Sequence, residues 1–187
     1  FVQEQKAKGE TKRIVAAGRL TREKGFDLLL AAWELLFGSY PEWSLSIYGE
    51  GIEHENLLSL IQNKGLKNIC IHPFVSNIQD EFVKSDFYVL SSRFEGFGLV
   101  IIEAMECGLP VVAFNCQSGP KEIITNGKDG ILVKSGDVYA LADAMKCLME
   151  DDKLRTTMGL SAIEKARSYS IDNIMCKWIN LYKTISR

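Results

Sequence analysis

The sequence predicts an α/β fold in which helices cover both faces of a parallel sheet. Short apolar strand segments alternate with helical segments along the chain. Six strand segments recur at intervals of roughly 20–30 residues, the spacing of strand–helix–strand units in parallel sheets. The chain has 187 residues, of which 47% are hydrophobic and 25% charged, and these values are typical of one globular domain.

Each predicted strand is a short apolar run. The fifth of them follows Gly108, which ends the helix before it and allows the chain to turn into the strand. In chain order, the predicted strands are Ile14–Gly18, Ser44–Tyr48, Ile69–His72, Phe87–Leu90, Pro110–Phe114 and Gly130–Val133.

The predicted helices lie between the strands and after the last one. The first helix has apolar residues at helical spacing, and the last has an apolar stripe that makes it amphipathic. In chain order, the predicted helices are Gly25–Phe37, Ile52–Lys64, Ile78–Lys84, Gly98–Cys107, Pro120–Ile124, Val138–Glu150, Leu154–Arg167 and Ile171–Ile185.

The first residues predict where the domain begins, and the charge distribution indicates which ligands it can bind. We expect residues 1–12 to be a linker remnant and residues 13–187 to form the domain, because the first segment is polar and lacks apolar periodicity. The net charge is +4 over residues 1–24, −11 over residues 25–152 and +5 over residues 153–187. The acidic middle argues against nucleic acid as a partner, and the basic ends are where an anionic ligand is expected.

The cysteines predict free thiols. Their number, five, is odd, no pair has CxxC spacing, and four lie among apolar neighbours. We therefore expect buried free thiols in a reducing, cytoplasmic compartment. The two histidines leave little for a zinc site, so no metal is expected. No apolar run approaches the ~20 residues of a membrane span, and the charged start is unlike a signal peptide.

Candidate binding residues concentrate in the loops after strands, because ligands of parallel sheets bind beyond the carboxyl ends of the strands. After Gly18, the first loop carries Arg19 and Lys24, which could clamp a diphosphate; a solvated basic loop is the alternative. The second loop carries Gly49 and Gly51 but lacks the third glycine of a dinucleotide fingerprint. It predicts a tight turn in which the backbone approaches a ligand.

The loop after the fourth strand contains the most informative pattern. Two carboxylates, Glu95 and Glu103, flank a glycine-rich helix start whose amides favour phosphate. Glu103 lies among apolar residues, where a carboxylate needs a partner. Sugar hydroxyls would satisfy both glutamates; a helix cap for Glu95 and a salt bridge for Glu103 are the alternatives. The open amides belong to Gly96, Phe97, Gly98 and Leu99.

Five motifs in this order resemble the C-terminal, donor-binding half of the group-1 glycosyltransferases. That family (family 4) consists of retaining enzymes with the GT-B fold, whose C-terminal lobe is a Rossmann-like domain. The resemblance spans roughly residues 12–185. The motifs are Gly18-Arg19-Leu20 with Lys24-Gly25, Gly49-Glu50-Gly51, Glu95-Gly96-Phe97-Gly98, Glu103-Ala104 and Gly108-Leu109-Pro110-Val111-Val112.

The resemblance implies a role for each matching residue. Arg19, Lys24 and Glu95 would be the catalytic residues, with the two cations binding the donor diphosphate and Glu95 holding the transferred sugar. Glu103 would bind the ribose, and the backbone around Phe74–Val75 would meet the nucleobase. The donor would be a nucleotide sugar, a UDP-hexose, with no metal or other cofactor, and retention would come from front-face attack. The implied donor-binding residues are Gly18, Gly49, Gly51, Phe74, Val75, Glu95, Gly96, Phe97, Gly98, Leu99 and Glu103.

The length implies half an enzyme, because family members are roughly twice as long. An N-terminal acceptor-binding domain would be missing, and residues 170–187 would form the helix that crosses over to it. The acceptor would be a saccharide or a lipid-linked saccharide. The segment Ser118–Glu122 is similar to that of members that use UDP-galactose-type donors for bacterial surface polysaccharide or lipopolysaccharide. A full-length enzyme would be cytoplasmic or peripheral at the inner membrane face.

Two other functions stay open at this point. The chain could be a non-catalytic nucleotide-binding or regulatory module, which would tolerate loss of Arg19 and Lys24 better than loss of the base pocket. A dinucleotide oxidoreductase is disfavoured by the missing third glycine and by the lack of an acidic residue at the end of the second strand.

Overall fold

The computed structural model describes residues 12–185, in which six strands form a single parallel sheet. The predicted sheet is therefore confirmed. Each neighbouring pair of strands is parallel, in the order β3-β2-β1-β4-β5-β6. The strands are β1 (Lys12–Ala17), β2 (Trp43–Tyr48), β3 (Ile69–His72), β4 (Phe87–Leu90), β5 (Val111–Asn115) and β6 (Gly130–Lys134).

Helices connect the strands and follow the last one. A single 3-10 turn at Arg22–Lys24 precedes the first helix. Predicted and observed ends differ by up to three residues; the first helix, for example, ends at Glu34 instead of Phe37. The helices are α1 (Phe26–Glu34), α2 (His54–Asn63), α3 (Gln79–Phe82), α4 (Leu99–Glu106), α5 (Pro120–Ile123), α6 (Val138–Glu150), α7 (Asp152–Arg167) and α8 (Ile171–Ile185).

The strand order reverses between β1 and β4. From β1 the chain adds β2 and β3 on one side, then returns to place β4 on the other side of β1. The loops that follow β1 and β4 diverge to opposite sides at this point, and the crevice between them is the usual ligand site of open parallel sheets.

Hydrophobic residues fill both faces of the sheet. On one face, α1, α2 and α6 cover a cluster that contains the fully buried Trp33 and Trp43. On the other face, α3, α4, α5 and α7 cover a cluster that contains Phe82 and Tyr88. Alternate strand residues, such as Ile14 and Val15, belong to opposite clusters because side chains alternate across a strand. The two cores hold the strand ends, and hence the loops after them, in fixed positions.

The last helix lies apart from these cores. No residue of α8 is buried, although its sequence is amphipathic. Half or more of each of Ile171, Met175, Trp178, Tyr182 and Ile185 is exposed. Between residues 12 and 185, no helix has both the length and the apolar character needed to cross a membrane.

The expected burial of the cysteines needs correction. The cysteines are free, but only Cys116 is buried. Cys70 is exposed on the edge strand β3, and Cys147 and Cys176 are exposed on α6 and α8. Apolar neighbours in the sequence do not bury a residue whose own side chain points outward. Residues 1–11 of the expected linker lie outside the described residues, whereas Lys12 already belongs to β1.

Candidate functional site

A pocket of about 670 Å³ opens at the reversal of the strand order. Its volume is within the usual range for small-molecule sites. The lining residues come from the ends of β1 and β2, from the loops that follow β1, β2 and β3, from the first residue of α3, and from the segment between β4 and α4 with the first turns of α4. They are Ala17, Gly18, Arg19, Lys24, Tyr48, Gly49, Glu50, Phe74, Val75, Ser76, Ile78, Gln79, Glu95, Phe97, Gly98, Leu99, Val100 and Glu103.

The loops after β1 and β2 are joined by backbone hydrogen bonds. The N–H of Gly18 donates to the carbonyl of Tyr48 at 3.0 Å, and the N–H of Leu20 donates to the carbonyl of Glu50 at 2.8 Å. A Cβ on Gly49 would lie 1.9 Å from the Gly18 carbonyl oxygen, so no larger residue fits at this contact. The glycines therefore allow two backbones to form this side of the pocket.

The loop after β4 is fastened to the start of α1. The guanidinium of Arg93 forms two hydrogen bonds with the Asp27 carboxylate, at 2.7 and 2.6 Å, and these bonds lower the pKa of Asp27. The N–H of Arg93 donates to the Glu23 carbonyl at 2.7 Å, and the Ser91 hydroxyl donates to the Lys24 carbonyl at 3.0 Å. The bidentate geometry of the Arg93–Asp27 pair fixes both position and orientation.

A second contact joins β1 and β4 beneath the pocket. The hydroxyl of Tyr88 donates to the carbonyl of Ala17, the last residue of β1, at 3.1 Å. Tyr88 is buried, and burial raises the pKa of its hydroxyl, which stays protonated as a donor. The two strand ends are thus held together from below.

At the centre of the pocket, a lysine and a glutamate from different loops form an ion pair. The Nζ of Lys24 lies 2.7 Å from Oε1 of Glu95, and the hydroxyl of Ser92 donates to the same oxygen at 2.6 Å. The side chains of Lys24 and Glu95 are 21% and 6% exposed. Lys24 keeps two N–H donors and Glu95 keeps Oε2 for a ligand, so the pair can bind an anion and hydroxyl groups side by side.

The start of α4 adds donors and a second carboxylate. Gly98 precedes the helix with φ of +89°, and no side chain caps the first turn. The N–H groups of Leu99 and Val100 have no acceptor within the helix and therefore remain available to a ligand. Half-buried Glu103 lies one turn further along and lines the pocket, and no residue within 12–185 forms an ion pair with it.

The structure brings most of the sequence-predicted site residues together, but not all of them. Gly51 and Gly96 do not line the pocket, whereas Arg19 lines it with an exposed side chain. Gly51 instead packs against Leu20, whose carbonyl oxygen would lie 2.3 Å from an added Cβ.

The segment after β5 supports the pocket from outside. None of the described residues 118–122 lines the pocket. Gly119 has φ of +87°, and a Cβ there would lie 2.2 Å from the carbonyl oxygen of Phe97. A backbone bridge also joins Phe94 to Gln117. This loop therefore acts on the helix start by packing.

Several lining residues were missed by the sequence analysis. Ile78 and Gln79 were assigned to a helix only, and Tyr48 to a strand only. The rule that ligands bind beyond strand ends could have identified them, because all three follow or end a strand of the sheet. Across residues 12–185, no group of three or more His, Cys, Asp or Glu side chains could hold a metal ion. The full set of missed lining residues is Ala17, Tyr48, Glu50, Ser76, Ile78, Gln79 and Val100.

Comparisons with known proteins show a family for this chain. Residues 1–165 match the family model described as glycosyl transferases group 1. The poly(ribitol-phosphate) alpha-N-acetylglucosaminyltransferase of Staphylococcus aureus is 32% identical over 178 residues, which is 94% of this chain and 36% of that protein.

Two solved structures have the same fold. A point mutant of S. aureus TarM, in complex with fondaparinux, alpha-GlcNAc-glycerol and UDP, has a TM-score of 0.85 and 30% identity. The match covers 97% of this chain and 38% of that chain. The C-terminal domain of a group 1 glycosyl transferase family protein, LpcC of Francisella tularensis, has a TM-score of 0.78 and 27% identity. That match covers 86% of this chain and 87% of the other.

The chain is short relative to its curated relatives. It spans 49%, 18% and 36% of the lengths of three of them.

Proposed function

Because the chain belongs to the group 1 glycosyltransferases, we propose that it is the donor-binding, C-terminal lobe of a retaining GT-B enzyme. It would bind a nucleotide sugar, with a UDP-hexose as the expected donor. The observation that carries the proposal is the pocket, in which the Lys24–Glu95 pair, the open start of α4 and Glu103 lie together.

The lining residues suit the successive parts of such a donor. Lys24, Arg19 and the N–H groups at the start of α4 would bind the diphosphate, which carries negative charge. Glu103 would accept hydrogen bonds from the ribose. The transferred sugar would lie against Oε2 of Glu95, the oxygen that Lys24 and Ser92 leave open. The similar TarM structure contains UDP, which supports a uridine nucleotide here.

Sugar transfer would be assisted by positive groups that are already in position before the reaction. As the sugar leaves, negative charge grows on the diphosphate, and Lys24, Arg19 and the start of α4 would stabilise it without reorganisation. Glu95 would orient the sugar while the acceptor attacks the face from which the diphosphate departs. The S. aureus relative is named for an α-linked product, and a donor with an α bond gives an α product only by retention.

A second lobe would supply the acceptor site. The chain spans 49% of the length of one curated relative, and it matches a C-terminal domain over most of both chains. The exposed apolar residues of α8 and those at the pocket rim, Phe74 and Leu99, would face that lobe. The acceptor would be a saccharide or lipid-linked saccharide of a bacterial surface polysaccharide, modified at the cytoplasmic side.

Calorimetric titration of the chain with UDP, GDP, ADP and their sugars tests the proposal. We expect UDP and UDP-hexoses to bind more tightly than uridine, because the nucleoside lacks the diphosphate. A folded chain that binds none of these nucleotides would overturn the proposed function.

A further inference from the structure

We propose that Tyr48 is a positioning residue that fixes the pocket wall formed by residues 73–79 and thereby sets the affinity for the nucleobase. This inference rests on the nucleotide-binding function proposed above. It concerns a side chain at the end of β2 to which nothing in the sequence assigned a role beyond the strand.

The wall between β3 and α3 has little backbone support. It contributes five of the lining residues, from Phe74 to Gln79. In the part of the chain that the structure describes, residues 73–77 form no hydrogen bond. Their N–H and C=O groups are open to a ligand, but their positions depend on how the two ends of the segment are held.

One side chain holds both ends. The ring of Tyr48 stacks on the ring of His72, the last residue before the wall, with a centroid distance of 4.5 Å and an interplanar angle of 15°. The hydroxyl of Tyr48 donates to Oε2 of Glu81, on the helix that follows the wall, at 2.6 Å. Tyr48 itself is only 6% exposed and is anchored in β2.

The partner carboxylate is fixed in turn by cations. Arg13, on β1, reaches Oε2 of Glu81 at 2.8 Å, and Lys84 reaches Oε1 at 2.9 Å. The guanidinium of Arg13 also contacts the Tyr48 hydroxyl and donates to the Ser46 hydroxyl at 3.1 Å. The side chains of Arg13 and Glu81 are about four-fifths buried, so this network is rigid and poorly screened by solvent. It ties the wall to two central strands of the sheet.

The pocket binds the nucleobase more tightly when the wall is already fixed, because the free-energy cost of ordering the wall is then not paid on binding. Removing the Tyr48 hydroxyl would leave the ring stack and would leave α3 packed through the buried Phe82. It would loosen the far end of the wall, because Glu81 would keep only its contacts with Arg13 and Lys84. The wall would then have to become ordered when the nucleobase binds, and this cost would lower the affinity for the nucleobase. The diphosphate side, held by the Arg93–Asp27 pair, would be unaffected.

The test compares uridine and UDP affinities, by calorimetry, in the wild type and in Tyr48→Phe. We expect both ligands to lose affinity by the same factor, between about three- and tenfold, which is the range for one hydrogen bond. Tyr40→Phe is the matched control, because Tyr40 also donates to a glutamate, Glu150 at 2.5 Å, but lies outside the pocket. It should leave both affinities unchanged.

A second variant tests the network without touching Tyr48. Glu81→Gln should also weaken uridine and UDP equally. The double variant Tyr48→Phe/Glu81→Gln should bind uridine and UDP no more weakly than the weaker-binding of the two single variants. The reason is that both substitutions loosen the same wall. Independent, multiplying losses would contradict the network.

The outcomes separate this inference from the function on which it rests. If the wild type binds no nucleotide, the proposed function fails and this inference with it. If the wild type binds UDP and Tyr48→Phe binds uridine equally well while its melting temperature falls, Tyr48 is merely structural and only this inference fails. A loss confined to UDP would also overturn it, because the hydroxyl would then act on the diphosphate.

Discussion

At the scale of single residues, Glu103 is the carboxylate that is proposed to bind the ribose. Its carboxylate is half-buried beside the pocket. Glu103→Gln should preserve the fold but weaken UDP binding by about 1.5–3 kcal/mol, the range for charge-assisted hydrogen bonds. Calorimetry with UDP measures this loss. Glu106→Gln, at an exposed position on the same helix, is the matched control and should bind UDP like the wild type. Equal affinities for all three proteins would remove Glu103 from the ribose site.

Arg19 and Lys24 are predicted to act on the diphosphate, but with different effects on stability. Arg19→Ala and Lys24→Ala should each weaken UDP binding by about 1–3 kcal/mol and leave uridine binding nearly unchanged. Arg19 is exposed, so its loss should not lower the melting temperature, whereas Lys24→Ala leaves the buried Glu95 with Ser92 alone and should destabilise the fold.

The control for these cations comes from the same loop. Arg22 is exposed and does not line the pocket, so Arg22→Ala should bind UDP normally. The advantage of the wild type over Arg19→Ala should shrink as the salt concentration rises, because exposed charges are screened. Parallel losses of uridine and UDP affinity would indicate instead that the two cations are structural.

At the scale of elements, the network between β1, β2 and α3 makes the stability depend on pH. Hydrogen bonds from Tyr48 and Lys84, together with Arg13, lower the pKa of Glu81 from 4.5 to about 2. A lowered pKa in the folded state means that the stabilisation is complete above about pH 4.5 and is lost as the pH falls towards 2. One fifth of the Glu81 side chain is exposed, so with solvent screening we expect the loss to be about 1–2 kcal/mol.

Urea denaturation at a series of pH values between 5 and about 2 checks this expectation. Other carboxylates titrate over the same interval, so the informative quantity is the difference between the wild type and Glu81→Gln. That difference in free energy of unfolding should be largest at pH 5 and shrink towards pH 2. A difference that stays constant with pH would show that Glu81 contributes nothing through its charge.

The sequence predicted elements and strand-end residues well, because both follow from local patterns. Lys24 and Glu95 were each identified from their own loops, since glycines and strand ends mark those loops. Their contact at 2.7 Å depends on the strand order, which brings together residues 71 positions apart. The role of Tyr48 depends on where α3 packs, and that position is fixed by buried Phe82 and not by any pattern around Tyr48. Tertiary contacts of this kind leave no local signal.

At the scale of the whole molecule, the proposal of a missing lobe predicts binding without turnover. Transfer requires an acceptor held in line with the sugar, and such alignment accounts for up to ~7–11 kcal/mol of barrier reduction. The chain alone should therefore bind UDP-hexose but transfer no sugar to a purified acceptor above background. The exposed apolar residues of α8 should promote self-association, which analytical ultracentrifugation would detect.

Adding the other lobe, in the same chain or as a separate one, should restore turnover and suppress self-association. A full-length chain that carries Lys24→Ala is the control for contaminating activity and should stay inactive. Robust transfer by the present chain alone would contradict the two-lobe proposal.

The reversal of strand order also has a consequence for the lifetime of the protein. The contacts that join the two sides of the strand-order reversal connect residues 66–71 positions apart, so no early, locally folded intermediate contains a complete donor site. A donor would then bind the fully folded chain only, and binding at 100 times the dissociation constant would add about 2.7 kcal/mol to the free energy of unfolding. Under the proposed function, a cell rich in nucleotide sugar would keep this chain folded and protected from proteolysis, and a starved cell would degrade it faster.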